Sequence, residues 1–156
     1  MTDPRHVKLA QVLVNYSLAI KPGEKVMINA PHTALPLIKE VYREIVKLGA
    51  YPTPRFRSRD LDLIFYQYAS DEQLQHVSEQ QTFEIEYYDA ELYIMGDENT
   101  RALSAIDPKR LAMAGAARAV LNKRSDQRSA AGEMRWCLTL FPTNAYAGRR
   151  DVAGSV

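Results

Sequence analysis

Apolar residues recur along the chain in short clusters, separated by Pro, Gly and small polar residues, and the spacing inside the clusters alternates between two periods. Leu9, Val12, Leu13 and Tyr16 share one side of a 3.6-residue helix that Asp3 and Pro4 open. The Asp oxygen accepts from free N–H groups of the first turn, and Pro gives up a donor that has no partner there. Lys21-Pro22-Gly23-Glu24 stops this helix. Lys25 to Ala30 (KVMINA) is short and apolar, which predicts a first strand, with a turn at Pro31-His32-Thr33. A second helix begins near Thr33, carries Ile38, Val41, Tyr42 and Ile45 inward, and ends at Gly49, which tolerates the left-handed backbone that closes helices.

Tyr51 to Ser58 (YPTPRFRS) is the second strand. Pro52 and Pro54 are two apart, so the donors they lack face the same side, and the strand must lie at a sheet edge. Leu61 to Val77 reads as a broken helix that Ser70 and Gln73 restart with a capping box, a signature repeated by Ser78 and Gln81. Glu91 to Met95 (ELYIM) is the third strand, closed by Gly96. Asp107-Pro108 opens a long, alanine-rich helix toward Arg124. After a polar, weakly structured patch, Met134 to Phe141 predicts a buried fourth strand that runs into a turn and the start of another helix.

Strands alternating with helices imply right-handed crossovers, hence an α/β class with a mostly parallel sheet of about four strands and helices on both faces. With the Pro52/Pro54 strand at an edge, the simplest order is 2-1-3-4, as in flavodoxin-like sheets, where ligands sit beyond the carboxyl ends of the strands. No linker, repeat or low-complexity tract interrupts residues 1–147, which read as a single α/β domain. Residues 148–156 (GRRDVAGSV) read as a disordered or divergent tail.

Composition narrows the partners. At 156 residues and 46% hydrophobic the chain can enclose an ordinary core, and a formal charge of +1 gives no overall pull toward nucleic acid or a membrane surface. The expectation is no nucleic acid and no membrane partner. The charges are nonetheless segregated: residues 61–100 hold ten acids and no Lys or Arg, whereas residues 101–150 hold ten bases against three acids. These segments are expected to pack together and offset each other. Cys137 is the single cysteine, which excludes an internal disulfide and a thiolate zinc cluster and points to a reducing, cytoplasmic compartment.

Candidate chemistry gathers at the strand ends: His32 after the first, Ser58 to Asp60 after the second, Asp97, Glu98 and Asn99 after the third, and Thr143 with Asn144 after the fourth. His32, Asp97, Glu98 and Asn99 are the candidate set for a small polar ligand or a peptide terminus. Imidazole and carboxylates also suit zinc, but no His-Glu-x-x-His or Cys pair is present, and no metal is expected in this chain. His6 and His76 fall on predicted helices. Glycine-rich phosphate loops and a G-x-S-x-G elbow are both missing. Cys137, inside an apolar strand, reads as packing. The Tyr87-Tyr88 pair lies in the acidic segment, away from the arginines of RFRSRD, which argues against a stacking platform for bases.

Four stretches taken together carry a resemblance: LVNYSLAIKPGEKVMI near the start, ASDEQL at Ala69 to Leu74, ENTRAL at Glu98 to Leu103, and GEMRWCLTLFPTNAYA at Gly132 to Ala147. In this order they resemble the amino-terminal domain of the thermophilic metallo-aminopeptidases, the family of aminopeptidase T and aminopeptidase S. The resemblance implies two-domain cytoplasmic enzymes that remove amino-terminal residues from peptides with two divalent metals, zinc or cobalt, and that associate as dimers. It also implies that the metal ligands lie in a second half, so no catalytic residue carries over to this chain. The chain is therefore expected to be a non-catalytic or truncated form, inactive alone, whose partners are the missing catalytic domain or a second copy. A free-standing binding module with a flavodoxin-like cleft is the alternative.

Overall fold

The computed structural model describes residues 3–96 and 101–142. Contacts divide the chain into two compact units, one drawing on Met1–Arg57, Tyr88–Thr100 and Arg135–Val156, the other on Ser58–Tyr87 and Arg101–Met134. The stretch read as one domain over residues 1–147 thus carries two contact units, and the chain passes between them at the ends of strands.

The first unit holds helix α1 (Pro4–Val12), strand β1 (Lys25–Pro31), helix α2 (Leu35–Lys47) and strands β2 (Tyr51–Arg57), β3 (Ala90–Met95) and β4 (Arg135–Leu140). All strand pairs are parallel and the order is β2-β1-β3-β4, as the sequence predicts. Tyr51 N–H donates to the Glu24 carbonyl at 2.8 Å. The odd-numbered residues of β2 therefore turn toward β1, and Pro52 and Pro54, out of phase, carry their missing donors on the open side.

Val26 and Ile28 of β1 line up with Ala90 and Leu92 of β3, and with Ala30 and Ile94 they share a core with Ala10, Leu13 and Val14 and with Leu37, Val41 and Ile45 of α2. Each of the larger side chains contributes about 1.5–3 kcal/mol by leaving water. The second helix buries Ile38, Val41 and Ile45 as expected, while Tyr42 stays partly exposed. Gly49 takes φ +77°, the left-handed turn expected of it.

The first helix turns a different side inward than the apolar stripe predicts: Ala10, Leu13, Val14 and Leu18 are buried, whereas Val12 and Tyr16 are exposed. Its last turn, Leu13–Ser17, is a π-turn, with Leu18 N–H donating to the Leu13 carbonyl at 2.9 Å. The wide turn brings Leu18 into the core, and small Ala10 marks the side of close approach.

The fourth strand differs from the buried element expected. It is the second edge of the sheet, and its side chains alternate, with Cys137 against the core and Trp136, Leu138 and Leu140 more than half exposed. Arg135 and Thr139 break the apolar run on the side of Cys137, so the pattern is not that of a strand buried on both faces.

The second unit holds helices α3 (Arg59–Tyr68), α4 (Asp71–Gln75), α5 (Glu79–Tyr87) and α6 (Pro108–Ala130). Tyr66, Ala69, Leu74, Ile106 and Ala114 form its core. The Ser70/Gln73 capping box is complete, with Ser70 N–H donating to Gln73 Oε1 at 2.8 Å and Gln73 N–H to Ser70 Oγ at 3.2 Å. Ser78 and Gln81 repeat it at 3.0 and 3.2 Å.

Helix α6 runs through the patch expected to be weakly structured and stops at Ala130. Arg128, only 7% exposed, holds this last turn by donating to the Ile85 carbonyl at 2.6 Å and to the Glu133 carbonyl at 3.3 Å. Gly132, at φ +73°, then closes the helix, with Glu133 N–H donating to the Arg128 carbonyl at 2.9 Å. The segregated charges meet inside this unit: Arg124 pairs with Glu86, and Arg110 approaches Asp71 at 4.0 Å. The Arg124 guanidinium lowers the Glu86 pKa, and Glu86 raises that of Arg124.

Candidate functional site

Two groups of polar residues stand on the first unit. One is the carboxyl end of the sheet, where the sequence directs attention. His32 opens a 3₁₀ turn (His32–Ala34) directly after β1 and is exposed, its ring 6.2 Å from that of Phe56. Thr33 Oγ1 donates to the Gly96 carbonyl at 2.7 Å, and Phe141 N–H donates to the Met95 carbonyl at 2.6 Å, so the ends of β1, β3 and β4 converge at Gly96. A Cβ on Gly96 would meet Phe141 Cβ at 3.2 Å, which explains a glycine at this position without a ligand. Asp97, Glu98 and Asn99, the rest of the candidate set, lie outside the described residues, as do Thr143 and Asn144.

Other sequence candidates have structural roles. Ser58 caps α3, its Oγ accepting from Leu61 N–H at 3.5 Å. His6 lies on α1 with its ring 5.3 Å from that of Phe141. His76 follows α4, its N–H donating to the Gln73 carbonyl at 3.3 Å. Cys137 packs at the margin of the core. Among the described residues, no three His, Cys, Asp or Glu side chains converge as metal ligands would, so the described residues do not fit a metal centre.

The second group was not singled out by sequence reasoning. The register aligns Arg55, Asn29 and Tyr93 in one row across β2, β1 and β3, with Arg57 two residues further on in β2 and Glu91 two residues back in β3. Side chains two apart in a strand share a face, so all five belong to the sheet face opposite the α1–α2 core. Asn29 sits in the interior of the central strand at 7% exposure, and its Nδ2 donates to Glu91 Oε1 at 3.4 Å. Burial, the Glu91 charge and a hydrogen bond to Glu91 push the Tyr93 phenol above its ordinary range, while Arg57 and Arg55 act in the other direction. Arg57 donates from Nη2 to the Ile94 carbonyl at 3.0 Å. Two buried atoms here have no hydrogen-bond partner: Asn29 Oδ1, an acceptor, and Arg57 Nε, a donor. The available signal was Asn29 itself, an amide in the middle of an apolar run.

Comparison with known proteins adds a family. Residues 2–151 match the model of a family described as thermophilic metalloprotease (M29). Aminopeptidase 2 of Geobacillus stearothermophilus is 28% identical over 146 residues, which is 90% of this chain and 35% of the relative. The solved structure of wild-type AmpT from Thermus thermophilus superposes with a TM-score of 0.76 at 20% identity, covering 93% of this chain and 38% of that one. The fold is shared, and the chain spans little more than a third of the length of either protein.

Proposed function

Since the chain belongs to the thermophilic metalloprotease family M29, we propose that it is the amino-terminal, non-catalytic α/β portion of a metal-dependent aminopeptidase. The observation that carries this reading is one of coverage: the family model takes in residues 2–151, yet the chain matches only 35% of Aminopeptidase 2. The described residues offer no metal-ligand cluster, so the two divalent ions of the expected chemistry, zinc or cobalt, would be held elsewhere, by a partner catalytic portion. Those ions would polarise a water for attack on the first peptide bond of a peptide substrate. This chain's own part is then architectural. Its sheet, with the apolar row of Trp136, Leu138 and Leu140 standing exposed, supplies a surface for the catalytic portion or, in the isolated chain, for a second copy. The lone Cys137 supports a cytoplasmic location.

The reading is tested by exchange. When residues 3–142 replace the matching segment of Aminopeptidase 2, the hybrid is expected to fold and to release amino-terminal residues in a chelator-sensitive way. A hybrid that folds, binds metal and leaves peptides intact counts against the proposal.

A further inference from the structure

We propose that the groove between α2 and β2 receives helix α3 of a second copy of this chain. The groove follows from the sheet order. Ile28 and Ala30 of β1 lie in the core and pair with Pro54 and Phe56, so these two residues of β2 stand on the same face as α2. Because β2 is the edge of the sheet, Phe56 remains half exposed beside Tyr42 and Val46 of α2. The result is a groove of about 500 Å³, lined by Leu35, Ile38, Tyr42, Val46, Pro54 and Phe56 and by the cations Lys39, Arg43 and Lys47. That size lies within the range of binding clefts.

The strand restricts the kind of occupant. Pro52 and Pro54 take two donors from the open edge of β2, so an added strand finds few partners there. A helix laid along α2 needs only side-chain packing, the mode of helix-in-groove recognition.

Helix α3 has the face that such a groove requires. Tyr66 and, in part, Leu63 pack in the core of the second unit, whereas Leu61, Ile64, Phe65 and Tyr68 are 67%, 53%, 38% and 81% exposed. Their i, i+3, i+4, i+7 spacing makes one apolar stripe, and Asp60 and Asp62 fall on either side of it. From Leu61 to Tyr68 the stripe rises about 10 Å, and α2 rises about 16 Å from Leu35 to Val46, so the stripe fits within the groove.

Charge matches the two faces. Arg43 is held by Glu40 and Lys47 by Glu44 within α2, which leaves Lys39 without an ion pair among the described residues. On α3, Asp62 approaches Arg59 at 4.0 Å, and Asp60 has no ion pair among the described residues. Each face thus keeps one unpaired charge, of opposite sign. Every copy carries both the groove and the stripe, so two copies that exchange α3 make the contact twice. The contact is separate from the row on β4, which stands on the opposite face of the sheet. The inference concerns faces of this chain alone and does not depend on the peptidase reading.

The test is complementation between two variants of the 156-residue chain, followed by sedimentation velocity. Val46→Glu sets an acid in the groove and Ile64→Lys a base in the stripe. Both positions are about half exposed, so the fold is expected to persist, with the far-ultraviolet spectrum as the check. Each variant alone should associate about tenfold more weakly than the wild type. An equimolar mixture should regain wild-type association, because the intact groove of one variant meets the intact helix of the other. Association through β4 is the same in every sample and cannot produce this gain. Should either variant fail to fold, Lys39→Glu and Asp60→Lys form a second pair judged in the same way. A mixture no better than its components, the result expected if a different protein covers the groove, overturns the proposal. Variants that associate as the wild type does, or a wild type that stays monomeric at every concentration, also overturn it.

Discussion

Arg135 and Glu24 are 111 residues apart in sequence and form an ion pair, Nη2 to Oε2 at 2.5 Å, while Nε of the same guanidinium donates to the Leu18 carbonyl at 2.7 Å. One side chain at the start of β4 thus ties that edge strand to the segment that leads from the first helix into β1. Both side chains are two-thirds buried or more, with relative exposures of 33% and 17%.

Arg135→Ala is accordingly expected to lower the unfolding free energy by about 1–3 kcal/mol, since it strips a partner from a carbonyl and from a carboxylate at once. Urea denaturation checks this. Arg135→Lys, which keeps the charge but cannot reach both acceptors with one planar fork, should recover only part of the loss.

The helix opening predicts a pH effect confined to the amino terminus. Asp3 accepts hydrogen bonds from the Arg5 side chain and the Arg5 backbone N–H, and its charge is further favoured by Arg5 and His6, which together lower its pKa from 3.8 to about 2. A folded-state pKa below the unfolded one means that the cap stabilises fully above pH 3.8 and is lost as the pH falls toward 2. A carboxylate titration by NMR should place the Asp3 midpoint near 2, and fraying of α1 should follow the same curve. In Asp3→Asn, α1 should show no such transition.

The exposed row on β4 predicts association. Trp136, Leu138 and Leu140 stand on one side of an edge strand, and an apolar edge of this kind pairs readily with another chain. Sedimentation should show association that rises with concentration. Leu138→Lys, which puts a charge in the middle of the row, should shift the chain toward monomer without loss of the fold. A monomer at every concentration removes the idea.

Much of the architecture is written in local chemistry. Pro52 and Pro54 declare an edge because a proline has no donor to give a neighbour, and Asp3, Ser70, Ser78 and Asp107 declare helix starts because each oxygen lies where unpaired N–H groups collect. What was misread depended on distant partners. The continuation of α6 past Arg124 rests on Arg128 reaching the Ile85 carbonyl, 43 positions away. The inward side of α1 is set by the core that Ala10, Leu13 and Val14 join with β1, α2 and β3. The outward row of β4 reads as buried because Trp136, Leu138 and Leu140 are apolar, although Arg135 and Thr139 alternate with them. For the site, His32 was legible as a loop residue beyond a strand, whereas the row of Arg55, Asn29 and Tyr93 was not, because its members come from three strands and meet only through the register.

On the proposed reading, this chain supplies scaffold while the metal-activated water of an aminopeptidase reaction is held elsewhere. That reading is tested most directly by incubating the purified chain with a leucyl peptide in the presence of zinc or cobalt and measuring released leucine. No release above that of a mock purification is the predicted result. Release that a chelator abolishes and added metal restores would contradict it.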